Sequence, residues 1–144
     1  MIYMCFDFGT FSWGVAIGDS LSQTAKAIGS LEVSQRGLDE PKLDRMIDQW
    51  QPQALVIGYP LKADGGRFQL TDKVDVAIEW LKSRYPALPL HPTDEHLTTV
   101  EAKAELYARK GKKGLEKGQV DAESAKLILL RWFETQALSS NEHF

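Results

Sequence analysis

The sequence predicts an α/β domain: a mixed five-stranded sheet, three meandering antiparallel strands and then two αβ units, with helices on its faces. Three observations predict it. The first 33 residues hold three runs rich in apolar and β-forming residues, MIYMCFDF, SWGVAIGD and AKAIGSLEV, separated by glycines and polar residues. Beyond residue 40 the apolar spacing switches from that of strands to that of helices. A chain of 144 residues, 43% hydrophobic and 26% charged, has the length and composition of one ordinary globular domain with a real core.

Each element has its own signal. Ile2 to Phe8 reads as a buried strand, interrupted by a single charge, Asp7. The second and third strands follow from the next two runs. In PKLDRMIDQW the residues Leu43, Met46, Ile47 and Trp50 fall on one face of a helix. PQALVIGYP gives a short buried strand over Ala54 to Ile57, ended by Gly58 and Pro60. A turn-rich loop, LKADGGRFQLTD, leads to a second helix with Val74, Ala77, Ile78 and Leu81 on its buried face. ALPLHPTDEH is a fifth strand with a polar end, and Thr98 with Glu101 forms a capping box for a helix to about Ala108. RKGKKGLEKGQ reads as a basic, glycine-punctuated loop. The last helix runs from about Asp121 and buries Ala125, Ile128, Leu129 and Trp132. The domain is expected over 1–136, with 137–144 a C-terminal tail that frays.

Composition narrows the function classes. No apolar run approaches the roughly 18 residues of a membrane span, and no signal peptide is visible at the N-terminus. Cys5 is the single cysteine and lies in an apolar run, so a buried thiol and a cytoplasmic location are expected. The net charge of −3 argues mildly against a nucleic-acid partner, because most such proteins carry a basic surface, although a local basic patch is enough to bind one. The periodicity exposes no dimer seam, so a monomer or weak homodimer is expected.

Asp7 poses the chemical question, because a carboxylate among Met4, Cys5, Phe6 and Phe8 must meet something that offsets its desolvation. Strand-end geometry gathers other acids: Asp94 and Glu95 close the fifth strand, and Asp121 opens the last helix. Taken singly, each has a structural reading. Asp7 can bond the amides of the FGT turn, Asp121 can be an N-cap or first-turn aspartate, and Asp94–Glu95 can be solvated loop. Brought to one edge, these carboxylates repel unless a cation lies between them. Oxygen ligands select Mg²⁺ or Mn²⁺, and His91, His96 and His143 are too scattered for a zinc site. Two such ions would suit in-line displacement at a phosphodiester. The basic loop fits that chemistry, with Arg109, Lys110, Lys112, Lys113 and Lys117 placed to neutralise phosphates. Lys62 and His96 are further candidates for contact with nucleic acid.

Four motifs in order, DFG…GVAIGD at 7–19, VIGYPLKADG at 56–65, DEHLTT at 94–99 and VDAESAKLILL at 120–130, resemble the YqgF/RuvX family of the ribonuclease H-like superfamily. The resemblance spans residues 1 to about 136. It implies a ribonuclease H-like fold and a metal-dependent nuclease with Asp7, Glu95 (or Asp94) and Asp121 as catalytic positions. It also implies a nucleic-acid substrate, with RNA favoured over DNA. The activity the resemblance implies is processing of the 5′ end of precursor 16S rRNA in ribosome biogenesis, with Holliday junction resolution in recombination and repair as the alternative. Two departures stand out. The family usually has a basic pair near Phe11–Ser12 and an aliphatic residue at Trp13, and Asp-Glu-Arg where this chain has Asp94-Glu95-His96. A neutral histidine lacks the bidentate fork of arginine. These losses motivate a rival reading, a nucleic-acid-binding factor with weak turnover. Phe11 and Trp13 are candidates either to stack on an unpaired base or to pack within the sheet. DFGT also looks like the first phosphate loop of the actin-like ATPases and sugar kinases, which need a second domain to close their cleft.

Overall fold

The computed structural model describes residues 1–94 and 117–142. Its elements are β1 (Ile2–Asp7), β2 (Ser12–Asp19), β3 (Thr24–Ser34), β4 (Gly37–Leu38), α1 (Glu40–Trp50), β5 (Ala54–Tyr59), α2 (Gln69–Arg84), β6 (Leu90–Asp94) and α3 (Lys117–Glu142). The strands form one mixed sheet in the order β4-β3-β2-β1-β5-β6. β1, β2 and β3 are antiparallel neighbours, whereas β1, β5 and β6 run parallel. The carboxyl ends of those three parallel strands therefore share one edge of the sheet.

The sheet has six described strands, not the expected five. The extra one, β4, is two residues long and pairs Ser34 with Gly37 and Val33 with Leu38. Gln35 and Arg36 make the turn, and Gly37 has a φ of +100°, a conformation that costs other residues strain. So short a strand has no periodicity for a sequence pattern to show.

Alternation along β1 builds two cores. Met4 and Phe6 pack with Trp13, Val15, Leu43, Leu55, Ile57 and Leu81 beneath α1 and α2. Tyr3 and Cys5 pack with Val56, Ile128, Leu129, Trp132 and Phe133 beneath α3. Burying a large apolar side chain contributes about 1.5–3 kcal/mol, so β1, covered on both faces, anchors the domain. Cys5 is buried, as expected. His91 packs its ring against Trp132, 5.2 Å between centroids, which gives it a structural role.

The helices keep the expected faces, but their starts differ. In α1, Leu43 and Met46 are buried; Asp39 caps the helix by accepting from the Lys42 amide at 3.2 Å. In α2, Val74, Ala77, Ile78 and Leu81 are buried, and the helix takes in Gln69 to Asp72, which the sequence assigns to the preceding loop. α3 begins at Lys117, inside the stretch expected to be a basic loop. Asp121 therefore lies in the second turn, and the N-cap and first-turn readings of this residue do not hold. The helix continues to Glu142, through most of the expected tail. The helix expected over 98–108 falls outside the described residues. No helix among the described residues is long and apolar enough to cross a membrane.

Candidate active site

The site starts from a missing side chain. Gly14 of β2 lies opposite Asp7 in the β1–β2 ladder, so both occupy the face of the sheet that α3 covers. A Cβ on Gly14 would run into the backbone carbonyl of Asp121 and come within 2.7 Å of the Ala122 amide nitrogen. Helix α3 thus rests on the bare backbone of β2 at the position that pairs with Asp7. That contact fixes the depth of the helix and brings Asp121 beside Asp7 across one glycine.

The Asp121 side chain points along β2 toward the turn that follows Asp7. Its Oδ2 accepts a hydrogen bond from the hydroxyl of Ser12, the first residue of β2. A carboxylate has about four lone-pair positions, so the bond orients the group and leaves acceptor capacity for a second partner. The turn between the strands is tight, since a Cβ on Gly9 would collide with the Ser12 carbonyl. Asp7 closes β1 and is only 8% exposed.

The other expected site residues are placed as follows. Asp94 ends β6, two strands from β1, at the same sheet edge. Alternation sets it with Leu90 and Pro92, opposite to His91, and so on the face away from the Asp7–Asp121 pair. Among the described residues no group of three or more metal-ligating side chains is assembled. Glu95, His96, Arg109, Lys110, Lys112 and Lys113 lie outside the described residues, and Lys117 is the first residue of α3.

Lys62 projects from the loop after β5 and is exposed, its Nζ 5.7 Å from the centre of the Phe68 ring. At the base of that loop the Tyr59 hydroxyl and the Arg67 guanidinium hold the Asp75 carboxyl below its ordinary value of 3.8. Trp13 is 4% exposed and packs edge-on against Phe6 and Trp80. Of its two readings the structure therefore selects packing within the sheet. Phe11 remains 67% exposed in the turn beside the acid pair.

Sequence reasoning missed the part played by two residues. Gly14 carried a usable signal, because a glycine inside a strand marks a close backbone approach. Ser12 carried none, since its partner lies 109 positions away.

The six-stranded mixed sheet with helices on its faces defines the class, an α/β domain. The chain belongs to the RuvX family, whose model, described as a Holliday junction resolvase, matches residues 1–135. It is 44% identical over 134 residues to a Pectobacterium atrosepticum protein named "Putative pre-16S rRNA nuclease", covering 92% of this chain and 95% of that one. A Glaesserella parasuis protein of the same name is also 44% identical, over 93% of this chain and 96% of its own. Among solved structures, the fowlpox virus resolvase in complex with Holliday junction DNA superposes with a TM-score of 0.59 at 15% identity, covering 94% of this chain and 99% of that one. The RuvC of T. thermophilus in complex with a Holliday junction substrate gives a TM-score of 0.53 at 14% identity over 95% and 96% of the two chains. At such identities the likeness is one of fold.

Proposed function

We propose that this chain is a divalent-metal-dependent nuclease that hydrolyses phosphodiesters of RNA, and that its substrate is the 5′ end of precursor 16S rRNA. The observation that supports the reading is that Gly14 both pairs with Asp7 and abuts the backbone of Asp121, in a chain 44% identical to relatives named for that activity. The donor set suits Mg²⁺ or Mn²⁺: two carboxylates from separate elements, one oriented by a hydroxyl. Asp7 and Asp121 would hold the ions together with Glu95. The position of Asp94 on the opposite face favours Glu95 over it as the third carboxylate. Bound ions supply charge neutralisation at phosphorus and a more acidic water.

The protein's own residues do the rest. Water adds to phosphorus, one P–O ester bond breaks, and a proton reaches the leaving alkoxide. Ser12 keeps Asp121 aimed at the Asp7 end of β1, and Gly14 keeps the helix close enough for that aim. Lys62, His96 and the basic residues Arg109, Lys110, Lys112, Lys113 and Lys117 guide the phosphate backbone. The description of the family as a Holliday junction resolvase favours a second reading, cleavage of a four-way DNA junction.

One assay separates these readings. Wild type and Asp7→Asn are incubated with end-labelled RNA carrying the 16S precursor 5′ extension, and with a four-way DNA junction, in Mg²⁺, Mn²⁺ or EDTA. Metal-dependent cutting of the RNA, lost in Asp7→Asn while the fold is retained, is the expected result. Cutting of the junction alone selects resolution. Binding without cutting by the wild type selects the nucleic-acid-binding factor.

A further inference from the structure

The loop between β5 and α2 carries two cations with different surroundings. Arg67 spends three of its five N–H donors on neighbouring side chains. Its Nη1 donates to the Tyr59 hydroxyl at 3.0 Å, and its Nη2 to Asp72 Oδ1 at 2.7 Å and also to Asp75. Tyr59 in turn donates to Asp75 Oδ1 at 2.7 Å. Lys62, by contrast, has no carboxylate partner among the described residues, and its ammonium lies over the exposed ring of Phe68.

Between these two residues the backbone is a closed hairpin. Leu61 and Arg67 form an antiparallel bridge, the Lys62 amide donates to the Gly66 carbonyl at 2.8 Å, and the Gly65 amide donates back to the Lys62 carbonyl at 2.9 Å. The Gly66 amide donates to Asp64 Oδ1 at 2.7 Å. Both ends are fastened to α2: the Thr71 hydroxyl donates to the Pro60 carbonyl at 2.5 Å and accepts from the Phe68 amide at 3.0 Å. The root of the hairpin is Tyr59, the last residue of β5. β5 runs beside β1 with Ile57 level with Phe6, so the hairpin rises from the edge where β1 ends at Asp7.

We propose that Arg67 is a positioning residue: it clasps Tyr59, Asp72 and Asp75 so that the 61–67 hairpin presents Lys62 to a phosphate of the nucleic-acid strand entering the Asp7 edge. This rests on the nuclease reading above and divides the labour of the loop. Lys62 meets the substrate, and Arg67 meets only protein. Presenting the lysine on a rigid hairpin lowers the ordering cost of binding, which is the general benefit of preorganisation.

The experiment reads the free protein and its binding separately from turnover. Amide hydrogen exchange is measured in wild type, Arg67→Met and Tyr59→Phe. Kd for a fluorescein-labelled 20-nucleotide single-stranded RNA is measured by anisotropy, in EDTA and across a salt series. Removing the clasp is expected to speed exchange at Lys62, Gly65 and Gly66 about tenfold while the β1 amides stay protected. Lys62→Ala is expected to weaken binding and to lower the salt slope by about 0.7, the value for one contact to a single strand. The deciding comparison is the double mutant. Arg67→Met should weaken RNA binding several-fold in the wild-type background and hardly at all in Lys62→Ala, because both losses pass through one contact. Additive losses, or wild-type Kd in Arg67→Met and Tyr59→Phe despite a loosened hairpin, overturn the proposal. Tyr59→Phe serves if Arg67→Met does not fold. Failure of the wild type to cut any RNA sinks the nuclease reading, while the Kd cycle still judges the clasp.

Discussion

The hydroxyl of Ser12 is bonded to the carboxylate of Asp121, tying the head of β2 to a helix 109 positions later in the chain. The bond holds one acid of the pair by a neutral donor. A hydroxyl orients a carboxylate without cancelling its charge, so Asp121 keeps its capacity to attract a cation.

Ser12→Ala is therefore expected to lower cleavage more than substrate binding. Loss of a group that orients a metal ligand typically costs about 10- to 100-fold in activity or metal affinity. The expected pattern is reduced kcat at nearly unchanged KM for RNA, partly restored by Ser12→Thr or by raised Mn²⁺. Wild-type kcat in Ser12→Ala would remove the bond from the chemistry.

Gly14 makes a sharper case, because it acts through an absence. Alanine there meets backbone atoms of Asp121 and Ala122, which have no rotamer to escape into. The helix must shift outward, at an overpacking cost of about 1–3 kcal/mol. Urea unfolding should show a lower midpoint at unchanged slope for Gly14→Ala, and cleavage should fall further than stability does. Retained stability and rate together would show that α3 does not bear on β2 at this point.

These two residues also mark the limit of what the sequence discloses. Strands with six or more apolar or alternating residues, such as β1 and β2, are legible because their pattern is repeated. So are the buried faces of α1, α2 and α3, where four residues share one spacing. β4 is two residues long and has no pattern to repeat. The start of α3 was hidden because Lys117 to Gln119 are polar and follow a glycine-rich stretch, features shared by loops and exposed helix turns. Asp7 and Asp121 stood out as charges next to apolar runs. Ser12, Arg67 and the face of Asp94 depend on which elements the fold brings together, and that is tertiary information.

A last prediction concerns the joint between α1 and α2, away from the site. Arg84 donates from Nε to Asp44 Oδ1 at 3.0 Å and from Nη1 to Glu40 Oε1 at 2.7 Å, and Tyr85 donates to Asp44 as well. Hydrogen bonds from Arg84 and then from Tyr85 hold the Asp44 carboxyl below its ordinary value of 3.8. A carboxyl depressed in the folded state stabilises the protein above its unfolded pKa, and that contribution is lost as pH falls through the folded pKa. Burial first, and then the bond to Asp44, pushes the Tyr85 phenol above its ordinary value of 10.0. Its contribution has the opposite sense: complete below pH 10.0, it is lost as the solution is made more alkaline. Because the joint is solvent-exposed, Asp44→Asn should cost no more than about 1 kcal/mol near neutral pH. Urea titrations from pH 7 downward should show wild type and Asp44→Asn converging only below the ordinary carboxylate range. A difference that stays constant through the acid limb would mean that the Asp44 charge contributes nothing and that the variant loses packing alone.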